Sequence, residues 1–394
     1  MPTNRNSNRT LDGCASIIAA PIVRTKLGEV LKISMQKTVS AFFLSIFGVV
    51  IVLAAGCGSS SSAVSTSGTG SSTTTTSGST TAFAIGADVG WLTQLQSLGY
   101  TYTDGTTSMS ALQLLKNAGV NTIRIRTFVN PTITAGTLGV GDNDQAGSIA
   151  LAKLANSMGF QIMIDFHYSD TWADPGHQAV PAAWASESYT QLETSVYNYT
   201  FNFMTALAAA GVYPQWVQVG NEIDPGMMLP IGSTANFSQL AGLINNGYKA
   251  VKAVSSSTQV IVHLSTISDL SRFETFFDAM VANGGSFDVI GGSYYDGPAT
   301  IATVAANLNT LAARYGKPVM ICEIGHAYSD ASGTATDIQT AIQAVKAVPN
   351  SRGLGVIYWE PEAPDDAATS NYSMGAVTEG SGKVLQFTSA INSL

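Results

Sequence analysis

WVQVGNEIDPG, residues 216–226, carries the pattern on which the fold turns. Trp216 to Gly220 form a short apolar run with the length of a buried strand. The run nevertheless ends on an amide and a carboxylate, Asn221 and Glu222, neither of which gains from burial. Either the strand has reached the surface there, or it presents the carboxylate to something.

Seven other runs repeat the pattern: FAIGADV (83–89), TIRIRTFV (122–129), QIMIDFHY (161–168), QVIVHLS (259–265), DVIGGSYY (288–295), PVMICEIG (318–325) and GVIYWEP (355–361). Helical stretches separate them, among them Ser110–Ala118, Ser148–Met158, Gln191–Ala210, Phe237–Val254 and Val304–Tyr315. Near-continuous apolar strands alternating with helices predict a parallel sheet covered on both faces. Eight such units in one chain predict an α/β fold of the (β/α)8 TIM-barrel type, a single domain over residues 82–394. A doubly wound open sheet would place a Gly-rich phosphate loop after its first strand, and Gly86 and Gly90 do not make one.

In such a barrel the functional rim is where strands end. Here they end on Arg124 and Arg126, Asp165 and His167, Asn221 and Glu222, Tyr294 and Tyr295, Glu323, and Trp359 and Glu360. Glu323 closes strand seven as Glu222 closes strand four. Alternation puts Glu323 on the face of Ile321 and Val319, and Cys322 on the other face, toward the outer helices. Taken singly, each glutamate reads as a rim salt bridge or a helix N-terminal carboxylate. As a pair they suit glycosidic cleavage, in which one carboxyl is protonated and the other ionised. Their separation would distinguish retention from inversion.

The blocks GADVGWLTQLQSLGY (86–100), TIRIRTFVNP (122–131), DFHYSDTWADPGHQAVPAAW (165–184), VQVGNEID (217–224), CEIGHAYS (322–329) and YWEPEAP (358–364) together resemble glycoside hydrolase family 53. Those are arabinogalactan endo-β-1,4-galactanases of the retaining clan A barrels, and the resemblance spans residues 83–390. It implies Glu222 as acid/base and Glu323 as nucleophile. It also implies substrate-binding roles for Arg126, His167, Asp170, Asn221, Tyr294 and Trp359. Arg126 would keep Glu323 ionised, and His167 and Tyr294 would orient it. Asn221 would meet the sugar 2-hydroxyl, and Trp359 would form an apolar floor under the sugar. Two positions depart from the family pattern: Leu229 stands before Pro230 in place of a tryptophan, and Asp296 follows SYY in place of a proline. Each removes aromatic surface beside the pair and leaves room for another β-glycan or β-galactoside as substrate. A non-catalytic polysaccharide-binding protein is the reading from a different class. No calcium loop is recognisable in HAYSDASGTATD (326–337) or APDDAATSN (363–371), so no metal or cofactor is expected.

Outward from the barrel, residues 1–57 have the character of a leader. After Lys37 comes an uncharged run, VSAFFLSIFGVVIVLAAGC (39–57), with Met35 as a candidate start. LAAGC resembles a lipobox with Cys57 as the lipidation site, and an uncleaved membrane anchor is the alternative. Residues 58–81 are Gly, Ser and Thr except for Ala63 and Val64, the composition of a flexible tether. The chain is thus expected to be exported as a surface lipoprotein, touching the membrane through that anchor alone. Of 18 Lys/Arg and 26 Asp/Glu, six and two fall in residues 1–57, leaving 12 against 24 and a net charge of −12. That sign repels phosphate backbones and excludes a nucleic-acid partner. A polysaccharide is the expected partner, met by a monomer. With Cys322 the one cysteine beyond residue 57, no disulfide framework is expected.

Overall fold

The computed structural model describes residues 81–132, 139–140, 142–365 and 372–391. The leader, Cys57 and all of the tether except Thr81 lie outside the described residues.

Eight parallel strands close into a barrel: β1 (Ala84–Asp88), β2 (Thr122–Thr127), β3 (Gln161–Phe166), β4 (Trp216–Val219), β5 (Gln259–Leu264), β6 (Val289–Tyr294), β7 (Val319–Ile324) and β8 (Gly353–Trp359). β1 pairs with both β2 and β8, which closes the ring. Outward-facing side chains such as Ile125, Phe166, Val219, Val262, Ile290 and Ile321 pack against helix residues such as Leu112, Leu151, Phe203, Leu243, Phe273, Leu308 and Ile338 in one continuous core. A separate apolar cluster fills the inside of the ring: Ala84, Met163, Trp216, Ile261, Val289, Met320, Cys322 and Ile357.

The helices start where side chains can accept from their free backbone N–H groups. Asp144 caps the helix Gln145–Ser157, Asp269 caps Leu270–Ala282, and Asp330 caps Ala331–Lys346. Ser188 and Gln191 form a reciprocal capping box at the start of Tyr189–Ala209. The last unit departs from the expected pattern. Among the described residues no α-helix follows β8. A short antiparallel pair, Val377–Glu379 with Val384–Phe387, follows instead and adds in parallel to Thr101–Thr103 from the β1–β2 connection.

Two backbone irregularities place the site. Gly220 follows β4 at φ +88, a region that disfavours side chains, and a Cβ there would meet Ile223 at 2.6 Å. The chain therefore turns out of the barrel directly before Asn221 and Glu222. In β7 the pairing register with β6 shifts between Ile321 and Glu323, and that with β8 shifts between Ile321 and Ile324. This bulge inserts one residue, so Cys322 and Glu323 both face inward. The expected outward Cys322 is thereby corrected: its thiol lies inside the ring, close to Gly291 and Ile261.

Trp216 fills the interior layer with its indole N–H donating to Gln259 at 3.1 Å. Trp216→Ala is expected to lower the unfolding free energy by about 3–5 kcal/mol through the cavity it leaves. Chemical denaturation monitored by far-UV circular dichroism measures it. A loss below about 1 kcal/mol would mean that the ring interior does not support the barrel.

Candidate active site

Above the apolar layer, the inside of the ring turns polar around one cation. Arg124, on β2, is 1% exposed, donates four hydrogen bonds and makes a further ion pair. Its Nη1 reaches Asp88 at 2.7 Å and its Nε reaches Gln218 at 2.8 Å. Its Nη2 lies 2.9 Å from Asp165, Asn221 and Glu323. Four hydrogen bonds and one ion pair reach acceptors on β1, β3, β4, β7 and the turn after β4, so one guanidinium sets the relative height of those strand ends. Burial alone would raise Asp165, but Arg124 and His167 outweigh it and hold the carboxyl at about 2.

Glu323 projects from the β7 bulge into a cavity of about 340 Å³, and Glu222 lines the same cavity from the turn after β4. The two carboxyls are supported differently. Both oxygens of Glu323 are engaged, Oε1 by ion pairing with Arg124 and Oε2 by accepting from the Tyr295 hydroxyl at 2.9 Å. Burial pushes Glu323 up to about 8, with Arg124 pulling the other way. The Arg124 guanidinium and the hydroxyl donated by Tyr295 both favour its ionised form and oppose that rise. Glu222 accepts from one hydroxyl, Ser293 Oγ, at 2.5 Å. Burial pushes it up to about 6, where it can give and take a proton near neutrality. Glu222 itself stands at φ +44, an uncommon conformation for a glutamate that the surrounding loop must hold. Gln178 supplies part of that hold, donating to the carbonyls of Asn221 at 2.8 Å and Glu222 at 3.2 Å.

Asn221 also lines the cavity. Its Nδ2 donates to Ala173 O at 2.8 Å and its Oδ1 accepts from Arg124, so the orientation of the amide is set. Trp359 and Trp172 supply aromatic wall, and Tyr372 and Met374 continue it. His167 lies in the cavity lining too, but its partners are Asp165 (Nε2, 3.0 Å) and the Ala173 N–H (accepted by Nδ1, 2.9 Å). It braces Asp165 and the Trp172 loop, and it does not touch Glu323.

Three further expectations are corrected. The guanidinium beside Glu323 is that of Arg124, and Arg126 sits elsewhere. Arg126 bonds Glu360 and Asp88 and lies 4.5, 5.1 and 5.8 Å from the ring centres of Trp172, Trp91 and Trp359. Both arginines share a strand face, and two residues of rise along β2 separate the carboxylate each one reaches. The tyrosine that orients Glu323 is Tyr295, whereas Tyr294 faces the other way and donates to Gly297 O at 2.6 Å. Counting by twos from Val289 through Gly291 and Ser293 leads to Tyr295, and that parity was the available signal. Asp170 braces two loops by accepting from Asn130 N–H and Ala182 N–H, and it does not line the cavity. Ser293, Gln218 and His263 join the site with no advance signal beyond the inward parity of their strands.

The family model for glycosyl hydrolase family 53 matches residues 84–393. The probable arabinogalactan endo-β-1,4-galactanase A of Aspergillus terreus is 32% identical over 319 residues, covering 74% of this chain and 87% of that one. The endo-β-1,4-galactanase of Bacillus subtilis is 32% identical over 309 residues, covering 72% and 71%. Among solved structures, the Ignisphaera aggregans GH53 catalytic domain superposes with a TM-score of 0.71 at 29% identity, covering 79% of this chain and 95% of that one. A structure reported for fungal β-1,4-galactanases gives 0.69 at 27% identity, covering 78% and 97%.

Removing the central cation tests the site's architecture. Arg124→Leu would leave Asp88, Asp165 and Glu323 buried without their guanidinium. The expected cost at pH 7 is about 3–5 kcal/mol. Asp165 is depressed in the folded state, so its share of wild-type stability is present above about pH 4 and fades as pH falls toward 2. The difference between variant and wild type should therefore narrow below pH 4 in denaturant titrations. A difference that widens there would contradict the assignment.

Proposed function

Because the chain belongs to glycosyl hydrolase family 53, we propose that it hydrolyses β-1,4-galactosidic bonds within galactan and arabinogalactan by a retaining double displacement. The observation that carries this reading is the pair of differently supported carboxyls in one cavity, Glu323 held by a guanidinium and a phenol and Glu222 raised to about 6. Glu323 attacks the anomeric carbon while Glu222 protonates the departing glycosidic oxygen. In the second half Glu222, now a carboxylate, takes a proton from the water that releases the sugar. Developing positive charge on the sugar ring is stabilised by the Glu323 carboxylate. Asn221 offers its oriented amide to the 2-hydroxyl, and Trp359 and Trp172 meet the C–H face of the sugar. Arg126 supports that aromatic wall from behind and does not act on Glu323 directly.

The departures at Leu229 and Asp296 bear on the subsites outside the cavity. Asp296 is exposed and bonded to Ser268, and neither residue lines the space between the glutamates. They are therefore expected to alter chain-length preference and leave the bond that is cleaved unchanged.

The leader supports a proposal about location. An apolar run that stops at Cys57, followed by a Gly/Ser/Thr tether, suits an acylated cysteine that holds a monomeric barrel about 25–30 Å from an outer surface. A neutral polysaccharide can approach such a barrel without electrostatic cost, despite its net negative charge.

Glu323→Gln and Glu222→Gln should each lower the rate on linear β-1,4-galactan by at least 10³-fold without changing the denaturation midpoint by much. Proton NMR of early products should show retained β-configuration. Activity on mannan, xylan or glucan exceeding that on galactan would overturn the substrate, and an inverted product would overturn the mechanism. Cys57→Ser should abolish labelling by radioactive fatty acid and release the chain from the membrane fraction. Unchanged sedimentation with membranes would overturn the anchor.

A further inference from the structure

Resting on the reading of Glu222 as acid/base, we infer that His263 and Ser293 form a hydrogen-bond relay of fixed direction that sets the proton affinity of Glu222. His263 lies on β5 and Ser293 on β6, both buried, and the reaction proposed above assigns neither of them a role.

Two groups oriented by Arg124 meet His263 Nδ1, the Gln218 N–H and the Asn221 oxygen, and the Ser293 hydroxyl turned to Glu222 selects the first. Arg124 has no acceptor, so the Gln218 oxygen that meets its Nε at 2.8 Å must be the carbonyl, Oε1. The amide nitrogen of Gln218 therefore faces Asp165 Oδ1 at 3.0 Å and His263 Nδ1 at 2.9 Å. An N–H aimed at Nδ1 leaves that nitrogen unprotonated, so in a neutral imidazole the proton sits on Nε2. Nε2–H then donates to Ser293 Oγ at 3.0 Å. The serine, its oxygen already accepting, turns its own proton to Glu222 Oε1 at 2.5 Å. Every bond in the chain points toward Glu222, which favours its carboxylate over its acid.

Burial holds His263 at about 3, with Arg124 acting in the same direction, so the imidazole stays neutral across the working range. The charged and titratable groups facing it are Arg124, Asp165 and His167. Those facing Glu222 are Asp224 from its own loop, Asp174 from the β3 loop, Arg124 from β2, Tyr295 after β6 and Glu323 from β7. Burial raises Glu222, Asp224 and Asp174 act in the same direction, and Arg124 opposes them. The Ser293 hydroxyl opposes them, and His263 keeps that hydroxyl aimed. Asn221 Oδ1 also lies 2.9 Å from His263 Nδ1 and defines the rival wiring. With the proton on Nδ1, His263 would donate to Asn221, Ser293 would have to donate to Nε2, and Glu222 would lose its donor.

The two wirings differ in a direct observable. The chain has four histidines, so ¹⁵N labelling of histidine in the full-length protein, assigned with His167, His177 and His326 variants, resolves the tautomer of each ring. The expected result is a neutral Nε2–H ring for His263 from pH 4 to 9, and an Nδ1–H ring would overturn the relay. Ser293→Ala removes a donor to the carboxylate. It should therefore move the Glu222 titration, followed by ¹³C-glutamate NMR, and the alkaline limb of kcat/KM upward by about one pH unit, a tenfold gain in proton affinity. His263→Leu should move both in the same direction, and His263→Gln, which retains an N–H, should restore them partly. A fall in kcat with the limb in place would reduce both residues to structural support and overturn the proposal. If instead Glu222→Gln kept its activity while the Glu222 titration still moved in Ser293→Ala, the relay would stand and the acid/base assignment would fall.

Discussion

A buried guanidinium with five donors has to find acceptors in the protein or it is not buried at all. Arg124 meets that demand by drawing Asp88, Asp165, Gln218, Asn221 and Glu323 to one point inside the ring. Each acceptor comes from a different place in the chain, so the cation sets strand heights and carboxylate positions in a single arrangement. The same group gives direction to the hydrogen bonds beyond it, because a donor that cannot accept fixes the amide of Gln218, whose N–H meets the ring of His263. The polar middle of this barrel is better described as the solvation shell of one arginine than as a set of separate salt bridges.

A second cation organises the neighbouring wall. Arg126 is wholly buried between Glu360, Asp88 and three tryptophans, and burial together with Glu360 holds Glu362 well above the usual carboxyl range. Five buried acids, Asp88, Asp165, Glu323, Glu360 and Glu362, face two buried arginines. Burial and the neighbouring carboxylates favour the protonated form of Glu362 most among them. The aromatic face offered to a sugar thus stands on an ionic base that is closed to solvent.

The regular parts of this architecture were legible in the residues. Eight apolar runs predicted eight barrel strands, and the observed strands begin within two residues of the predicted starts, ending up to three residues earlier. Glu222 and Glu323 stood out because a carboxylate at the end of a buried strand has no reason to be there unless it is used. Side-chain parity was also readable, and it assigns Tyr295 to the interior where the motif comparison had pointed to Tyr294. What escaped were departures from regularity. Cys322 lies inward with Met320, and the β7 bulge turned Glu323 inward as well, since one inserted residue reverses the alternation that put it on the face of the outward Ile321. The last helix of the expected eight units gave way to short strands that pair with residues almost 300 positions away.

By itself, then, the sequence determined the barrel, the rim on which function sits and the two carboxylates, because periodicity and strand ends are local properties. Tertiary structure decided which arginine meets which carboxylate, which tyrosine reaches Glu323, and that His263 and Ser293 stand behind Glu222. Those choices depend on barrel tilt, on one bulge and on the reach of side chains across the ring. Distances of that kind arise when the ring closes, and no stretch of sequence carries them.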